Sequence, residues 1–498
     1  MTGRRGRRWL LVCGGLAACA AAPDRPQVAN VARSAPTPGD ESFRAAPPLP
    51  QPEPPFRPPA VQASTLSNGM RLLIVERHTF RLAAAELVVV GGAAGIPRET
   101  RAAVDLMVAC LTGGTNGLAQ SQLFEEMNSH LIDLRPRMGD SALTISMRAP
   151  SRWLDRGLHL MRAVALDSAF PKREFEIFRN QQVGHARLAV DNTTLIAQRN
   201  LFGAIYGPTH PYARAYGPRE EDLAKVTLDD VVRVWKEVMD PSAAVLLVAG
   251  DVDPREVIRL AEAEFGGWKH DPRFPPRPTV PAPAPGAARL VVVDRPGARQ
   301  ATVLFGAPAP GMRSPQHPTD FVIRDLFGGM RSSTLATELR HELGATWQEG
   351  VGFAIHPTMG LDWWYGSVAP DRTTAVLRAL DQRLRDLRER GPSADELAAA
   401  KATVVRSFPH WFELTSHVVE RLAEAAVADL PPDEPDRTFA RVSEVSADEV
   451  RAAVPDPAAV RVVVVGDLAV LKEPLLGLGW GPIDVNDAQG RRLRTLSP

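Results

Sequence analysis

Residues 240–251 return in closely similar form as residues 456–467. Each copy contains an Asp-Pro turn, an apolar run typical of a buried strand, and a Gly-Asp turn. Each copy also follows a helix-start signal with a capping residue and first-turn acids, at residues 227–230 and 446–449. Chance can repeat such a pattern, but duplication explains it better, so the sequence predicts two similar halves.

Proline-rich stretches divide the chain. Residues 272–285 are rich in proline and separate the two halves. Residues 20–60 are rich in Pro, Ala and Ser, a composition that buries too little apolar surface to fold and favours an extended tether. We therefore predict a signal peptide at 1–19, a tether at 20–60, domains at 61–271 and 287–498, and a linker at 272–286.

Hydrophobic periodicity predicts both strands and helices. Strand character is found at residues 72–76, 87–90, 288–293 and 301–305, and helical spacing at residues 101–111, 158–166 and 230–238. Strands mixed with long helices in both halves indicate the α+β class. We expect two homologous lobes, each a mainly antiparallel sheet packed with helices.

The N-terminus has the layout of a secretion signal. Four arginines between Arg4 and Arg8 precede an apolar run at residues 9–18, which ends at Leu16-Ala17-Ala18-Cys19. These last four residues resemble the lipobox of bacterial lipoproteins, which implies lipidation at Cys19, a lipid-anchored place in the bacterial cell envelope, and a body facing the periplasm. The alternatives are an ordinary secretory signal or a short anchor helix, although ten apolar residues are too few to span about 30 Å of hydrocarbon.

Charge and cysteine content exclude several classes of function. Lys+Arg 58 balance Asp+Glu 58, so no basic field recruits nucleic acid. Of the three cysteines, Cys13 leaves with the signal and Cys19 carries the lipid, so Cys110 has no internal disulfide partner. Cys110 lies in an apolar stretch and is expected to be a small core residue.

Residues 103–115, which follow the glycine pair Gly91-Gly92, resemble the zinc-binding region of the insulinase/pitrilysin metallopeptidase family. In that family a helix carries H-x-x-E-H, whose histidines bind zinc and whose glutamate activates water, and a glutamate in a later helix is the third ligand. By this resemblance Val104 and Val108 occupy the histidine positions, Met107 the glutamate position, and Gly184 the third-ligand position. A register shifted by one places the third ligand at His185.

Valine and glycine side chains offer no donor to zinc, and methionine cannot act as a general base. The resemblance therefore implies no catalytic residue, no metal ligand and no cofactor in this chain. Relocated chemistry is not indicated either, because the sequence contains no histidine pair at helical i, i+4 spacing, no G-x-S-x-G motif and no P-loop.

The second half keeps a different part of the family pattern at residues 327–347. In the family this motif carries an arginine and, seven residues on, a tyrosine, which reach the peptide. Here Arg340 stands in the arginine position and Trp347 takes the place of the tyrosine. Gly328 and Gly329 resemble the substrate-contacting glycine loop of non-catalytic subunits. The alternative is that Arg340 is a surface cation and Trp347 a core aromatic residue.

This combination resembles the non-catalytic subunit of two-subunit bacterial and mitochondrial-processing-peptidase-like members. The resemblance implies a partner, a zinc-bearing homologous peptidase subunit, and peptide substrates that this chain helps to clamp; alone it would not be an enzyme. The alternative is a structural envelope protein that uses the same fold without binding substrate. An active peptidase with unorthodox ligands is the least favoured possibility.

Overall fold

Two β-sheets, each covered by helices on both faces, organise the protein. The computed structural model describes residues 56–97, 100–214, 219–274, 280–286, 288–330, 333–346 and 348–497. Residues 56–498 form one compact unit. In the described part of the chain, no helix combines the length and the apolar character needed to span a bilayer. The predicted signal peptide and most of the predicted tether lie outside the described residues.

The first sheet has the strand order β1-β2-β6-β3-β5-β4. Its strands are β1 (Gln62–Thr65), β2 (Arg71–Glu76), β3 (Leu82–Val90), β4 (Asp133–Met138), β5 (Ala142–Pro150) and β6 (Ala244–Gly250). Only the β2–β6 pair is parallel. The helices of this half are α1 (Arg101–Cys110), α2 (Gln120–Ser129), α3 (Leu154–Leu166), α4 (Lys172–Ala189), α5 (Thr193–Tyr206), α6 (Glu220–Leu223), α7 (Leu228–Val238) and α8 (Pro254–Phe265).

The second sheet has the order β13-β12-β7-β11-β8-β10-β9. Its strands are β7 (Leu290–Asp294), β8 (Ala301–Pro310), β9 (Glu349–Ile355), β10 (Met359–Val368), β11 (Arg461–Gly466), β12 (Ile483–Asn486) and β13 (Arg492–Leu496). The pairs β12–β7 and β7–β11 are parallel and the others antiparallel. The helices are α9 (His317–Arg324), α10 (Thr334–Thr337), α11 (Thr373–Glu389), α12 (Ala394–Ser407), α13 (Thr415–Val427), α14 (Glu434–Glu444), α15 (Ala447–Ala453) and α16 (Leu468–Leu476).

The repeated segments occupy equivalent places in the two sheets. Strand β6 lies between a parallel neighbour, β2, and an antiparallel one, β3. Strand β11 lies in the same way between β7 and β8. The helix before each strand begins with a capping box, formed by Thr227 and Asp230 in α7 and by Ser446 and Glu449 in α15. The α+β prediction of two similar, mainly antiparallel lobes is confirmed.

The two halves exchange a helix. Helix α13, from the second half, packs on β3 and β6 at the outer face of the first sheet, where Val418 and Leu422 belong to the same apolar cluster as Val88 and Leu247. Helix α5, from the first half, covers the outer face of the second sheet in the same manner. The inner face of each sheet packs on helices of its own half. Each sheet is therefore buried on both faces only when both halves are present.

Candidate functional site

Helix α1 directs the residues at two of the predicted zinc positions into the core. Val104 and Met107 are each 0% exposed, and Val108 packs partly buried against the same core. The apolar residues of α1 cluster on one face because they recur at helical spacing, and that face meets the first sheet. Side chains on this face could not reach an open metal site even if they carried donors.

The opposite, partly exposed face of α1 carries charge. Arg101 lies 4.0 Å from Asp105 on the next turn and 3.8 Å from Asp140, which belongs to the turn between β4 and β5. Burial raises the pKa of both carboxyl groups, and Arg101 opposes that rise. The helix surface that could face a ligand therefore holds an ion-pair cluster with one arginine and two aspartates.

Zinc does not fit the residues present. The outer face of α1 offers a single carboxylate, Asp105, already paired with Arg101. Gly184 on α4 contributes no donor, and a Cβ placed there would meet open space; its neighbour His185 is exposed. Across the described residues, no three His, Cys, Asp or Glu side chains are grouped so that they could hold a metal ion. We assign no chemical step to a metal in this chain.

Arg340 is held within its own lobe. It lies in the helical turn Glu338–Glu342, and its Nη2 donates to Oε1 of Glu349, at the start of β9, over 3.1 Å. The side chains are only 15% and 3% exposed, respectively. Burial raises the pKa of Glu349, and Arg340 opposes that rise. The guanidinium thus neutralises a buried carboxylate in this conformation. Trp347 and Cys19 lie outside the described residues.

Gly328 and Gly329 form a tight turn after α9. Gly328 has φ +117°, a conformation that side-chain-bearing residues rarely adopt, and a Cβ there would lie 3.4 Å from the indole of buried Trp364. A Cβ on Gly329 would lie 2.6 Å from the Asp325 carboxylate. Both glycines therefore have a packing reason, and their predicted contact with peptide stays a prediction.

A cavity on the outer face of the first sheet was not identified from the sequence. It has a volume of about 560 Å³ and is lined by Glu86 of β3, Arg137 of β4, Glu420 and Glu424 of α13, and His356 after β9, among others. These residues are far apart in sequence. The signal available was Glu86 itself, a lone charge in the apolar run Ala83–Val90.

Fold and site together resemble a peptidase, with no metal-binding cluster among the described residues. Residues 225–404 match the family described as the peptidase M16 inactive domain. This match supports an insulinase-type, catalytically inactive homologue.

Sequence relatives support this assignment. The chain is 28% identical over 242 residues to an uncharacterized zinc protease of Streptomyces coelicolor, a match that covers 46% of this chain and 51% of the relative. It is 26% identical over 188 residues to the zinc protease PqqE of Helicobacter pylori, covering 37% and 42%. The chain therefore spans about half the length of these curated relatives or less.

Solved structures share the fold. A peptidase M16 inactive domain from Pseudomonas fluorescens has a TM-score of 0.75 at 18% identity, covering 82% of this chain and 98% of that one. The periplasmic protease PqqL from Escherichia coli has a TM-score of 0.69 at 16% identity, covering 82% of this chain and 45% of that one. At these identities the likeness concerns the fold.

Proposed function

We propose that this protein is the non-catalytic, peptide-holding subunit of an envelope peptidase whose zinc lies in a homologous partner chain. The observation that carries the proposal is the state of helix α1. Val104 and Met107 are built into the core, while the sheets and the helices of the insulinase-type fold are kept whole. A scaffold retained without its metal chemistry is suited to binding and positioning.

The open edge of β9 supports a role in holding peptide. Strand β9 pairs with β10 on one side, and no strand of the described chain pairs with its other side. Backbone N–H and C=O groups on such an edge can pair with an extended peptide, which gains main-chain hydrogen bonds whatever its sequence. Phe353 of β9 is 55% exposed and offers an apolar contact beside that edge. In the proposal, this chain binds and orients the peptide and the partner cleaves it.

The N-terminal sequence and one relative support the location. The basic, apolar and Cys19-containing segment has the order of a lipoprotein signal. The E. coli protein of similar fold is periplasmic. In the proposal, a lipid on Cys19 holds the folded body at the periplasmic face of the envelope.

Reconstitution tests the proposal. The chain and the zinc-bearing homologue from the same organism are purified separately, zinc is measured by elemental analysis, and hydrolysis of an unfolded peptide is followed for each alone and for the mixture. We expect no zinc and no activity from this chain, and at least a tenfold rise in activity on mixing. Stoichiometric zinc with activity from this chain alone would refute the proposal.

One observation favours the structural alternative. Arg340, the cation expected to contact the peptide, forms an ion pair with Glu349 of its own lobe. The same experiment separates the two functions. A stable complex with the homologue whose activity is unchanged by this chain would show a structural role. A rise in activity that is reduced by Arg340→Ala would show that Arg340 leaves Glu349 to act on the peptide.

A further inference from the structure

The cavity beside Glu86 lies where both halves of the chain meet. Strands β3, β4 and β5 supply one wall, helix α13 a second, and the turn after β9, with His356, a third. Its volume of about 560 Å³ is far larger than a single side chain needs. The cavity and the partly exposed face of α1 share one residue. Asp140 lines the cavity and pairs with Arg101 of α1.

Glu86 lines this cavity as an unsatisfied acid. Glu86 is only 5% exposed, and its Oε2 atom has no hydrogen-bond partner in the described structure. The pKa of Glu86 is raised to about 7, mainly by burial and also by the nearby Glu420 and Glu424, whereas Arg137 and a hydrogen bond from Thr144 lower it. A buried carboxyl group without a partner is costly unless a donor or a cation reaches it.

Two of the three arginines that line the cavity are paired. Arg421 lies 2.7 Å from Glu424 on the same helix, and Arg135 lies 2.8 Å from Asp133. The third, Arg137, lowers the pKa of Glu86. His356 adds no charge at neutral pH, because burial lowers its pKa to about 4. Its ring stacks on Tyr212 at 3.5 Å, and its Nε2 has no partner in the described structure. The wall therefore carries four carboxyl groups and three arginines, and a free acceptor at Glu86 Oε2.

A second cavity continues from the first. It has a volume of about 480 Å³ and shares Met312, Ile355, Glu420, Arg421 and Glu424 with it. The rings of Phe321, Phe353, Phe408 and Trp411 line it. A small amine would fill only the acidic part, whereas a polypeptide can place a basic side chain in one cavity and an apolar neighbour in the other.

We propose that the cavity at Glu86 binds a lysine or arginine side chain of a polypeptide, with the cationic head at the free Glu86 oxygen. The proposal rests on the peptide-holding function proposed above and names the class of residue that this surface selects. Charge complementarity favours this occupant, since a cation inside the cavity can pair with Glu86 Oε2, the carboxyl oxygen that has no hydrogen-bond partner among the described residues.

Two fluorescein-labelled peptides test the selection. Both are acetylated pentapeptides made of three alanines, one leucine and one variable residue beside the leucine. The variable residue is arginine in one peptide and the uncharged, aliphatic norleucine in the other. Fluorescence anisotropy with the purified full chain measures each dissociation constant. We expect the arginine peptide to bind at least tenfold tighter at pH 8, and Glu86→Gln to abolish that preference. Glu256→Gln, at an exposed glutamate of α8 paired with Arg259, is the matched control and should leave it intact.

The preference should also depend on pH. It should grow from pH 6 to pH 8 as Glu86 ionises in the presence of Arg137, Glu420 and Glu424, the charged groups that face it. Equal binding of both peptides, or a preference that survives Glu86→Gln, overturns the proposal and leaves the peptide-holding function standing. A third outcome separates the two proposals. If Glu86→Gln abolishes the preference for arginine but the chain does not change the activity of the homologue, the binding site at Glu86 is supported and the proposed subunit function is refuted.

Discussion

At the scale of single residues, Glu86 makes the stability of the fold depend on pH. Its pKa is raised from 4.5 to about 7 in the folded state, so the folded protein holds this proton more tightly than the unfolded chain. Stability is therefore lost as the pH rises from about 4.5 through about 7. At about 1.36 kcal/mol per pKa unit, the loss is on the order of 3 kcal/mol above pH 7.

Glu86→Gln removes this penalty. We expect the variant to have a free energy of unfolding about 3 kcal/mol above that of the unmodified chain at pH 8, and within about 1 kcal/mol of it at pH 5. Urea unfolding at both pH values measures the difference. The same gain at both pH values would show that the substitution acts through packing and not through ionisation.

Arg340 gives a second prediction at this scale. Arg340→Ala leaves Glu349, whose side chain is 3% exposed, as a buried charge without its cation. Breaking a buried ion pair in this way typically costs about 3–5 kcal/mol, and we expect a loss at the lower end by urea unfolding. Adding Glu349→Ala should recover part of it, as a double-mutant cycle would show. A loss below about 0.5 kcal/mol would mean that the pair does not hold the fold.

These residues also show what a sequence can and cannot predict. Glu86 stands out as one charge in an apolar strand, so its burial was open to prediction. Its neighbours were not, because Glu420 and Glu424 come from a helix more than three hundred residues away. Arg340 was predicted to contact peptide, and no periodicity in the sequence indicates that it pairs with Glu349.

At the scale of elements, helix α1 was predicted at residues 101–111 and is found at Arg101–Cys110, since its apolar spacing is strongly helical. Counting along a motif does not fix which face of a helix is buried. Val104 lies in the core, while Asp105 and Ala109, four residues apart, lie on the partly exposed face. A pair of metal ligands on this helix would need to occupy positions 105 and 109, even though the resemblance to the family motif placed them at 104 and 108.

Two triple variants test this placement. Placing His, Glu and His at Val104, Met107 and Val108 buries polar groups without partners, so we expect a loss of more than about 3 kcal/mol or no folding. Placing the same residues at Asp105, Val108 and Ala109 puts two of them on the partly exposed face, and we expect a folded protein. Near-UV circular dichroism during thermal unfolding compares them. Greater stability of the first variant would contradict the assignment of the faces.

At the scale of the whole molecule, the repeat predicted two halves, and both sheets confirm it. The exchange of α5 and α13 was not open to prediction. Both helices have apolar positions suited to packing on a sheet, but the spacing of those positions does not say which sheet receives them. The predicted domain bounds at 61–271 and 287–498 stay a prediction, and in the structure each half contributes a helix to the core of the other.

This exchange predicts that the halves fold as one. A protease site inserted between the exposed residues Pro272 and Arg273 allows the folded protein to be cut between the two halves. Because α13 still covers Val88 and Leu247 after cleavage, and α5 still covers the second sheet, the fragments should remain associated during gel filtration. Calorimetry should show one unfolding transition for the uncut protein with the insertion, which serves as the control.

Each half expressed alone exposes the apolar outer face of its sheet, together with the apolar side of the helix that it normally donates. Such surfaces promote aggregation, so we expect insoluble fragments when the halves are made separately and a soluble complex when they are made together. Two soluble fragments, each with its own cooperative unfolding transition, would show that the exchanged helices contribute little. The cavity beside Glu86 needs α13 of the second half against β3 of the first, so neither fragment alone should retain the preference for an arginine peptide.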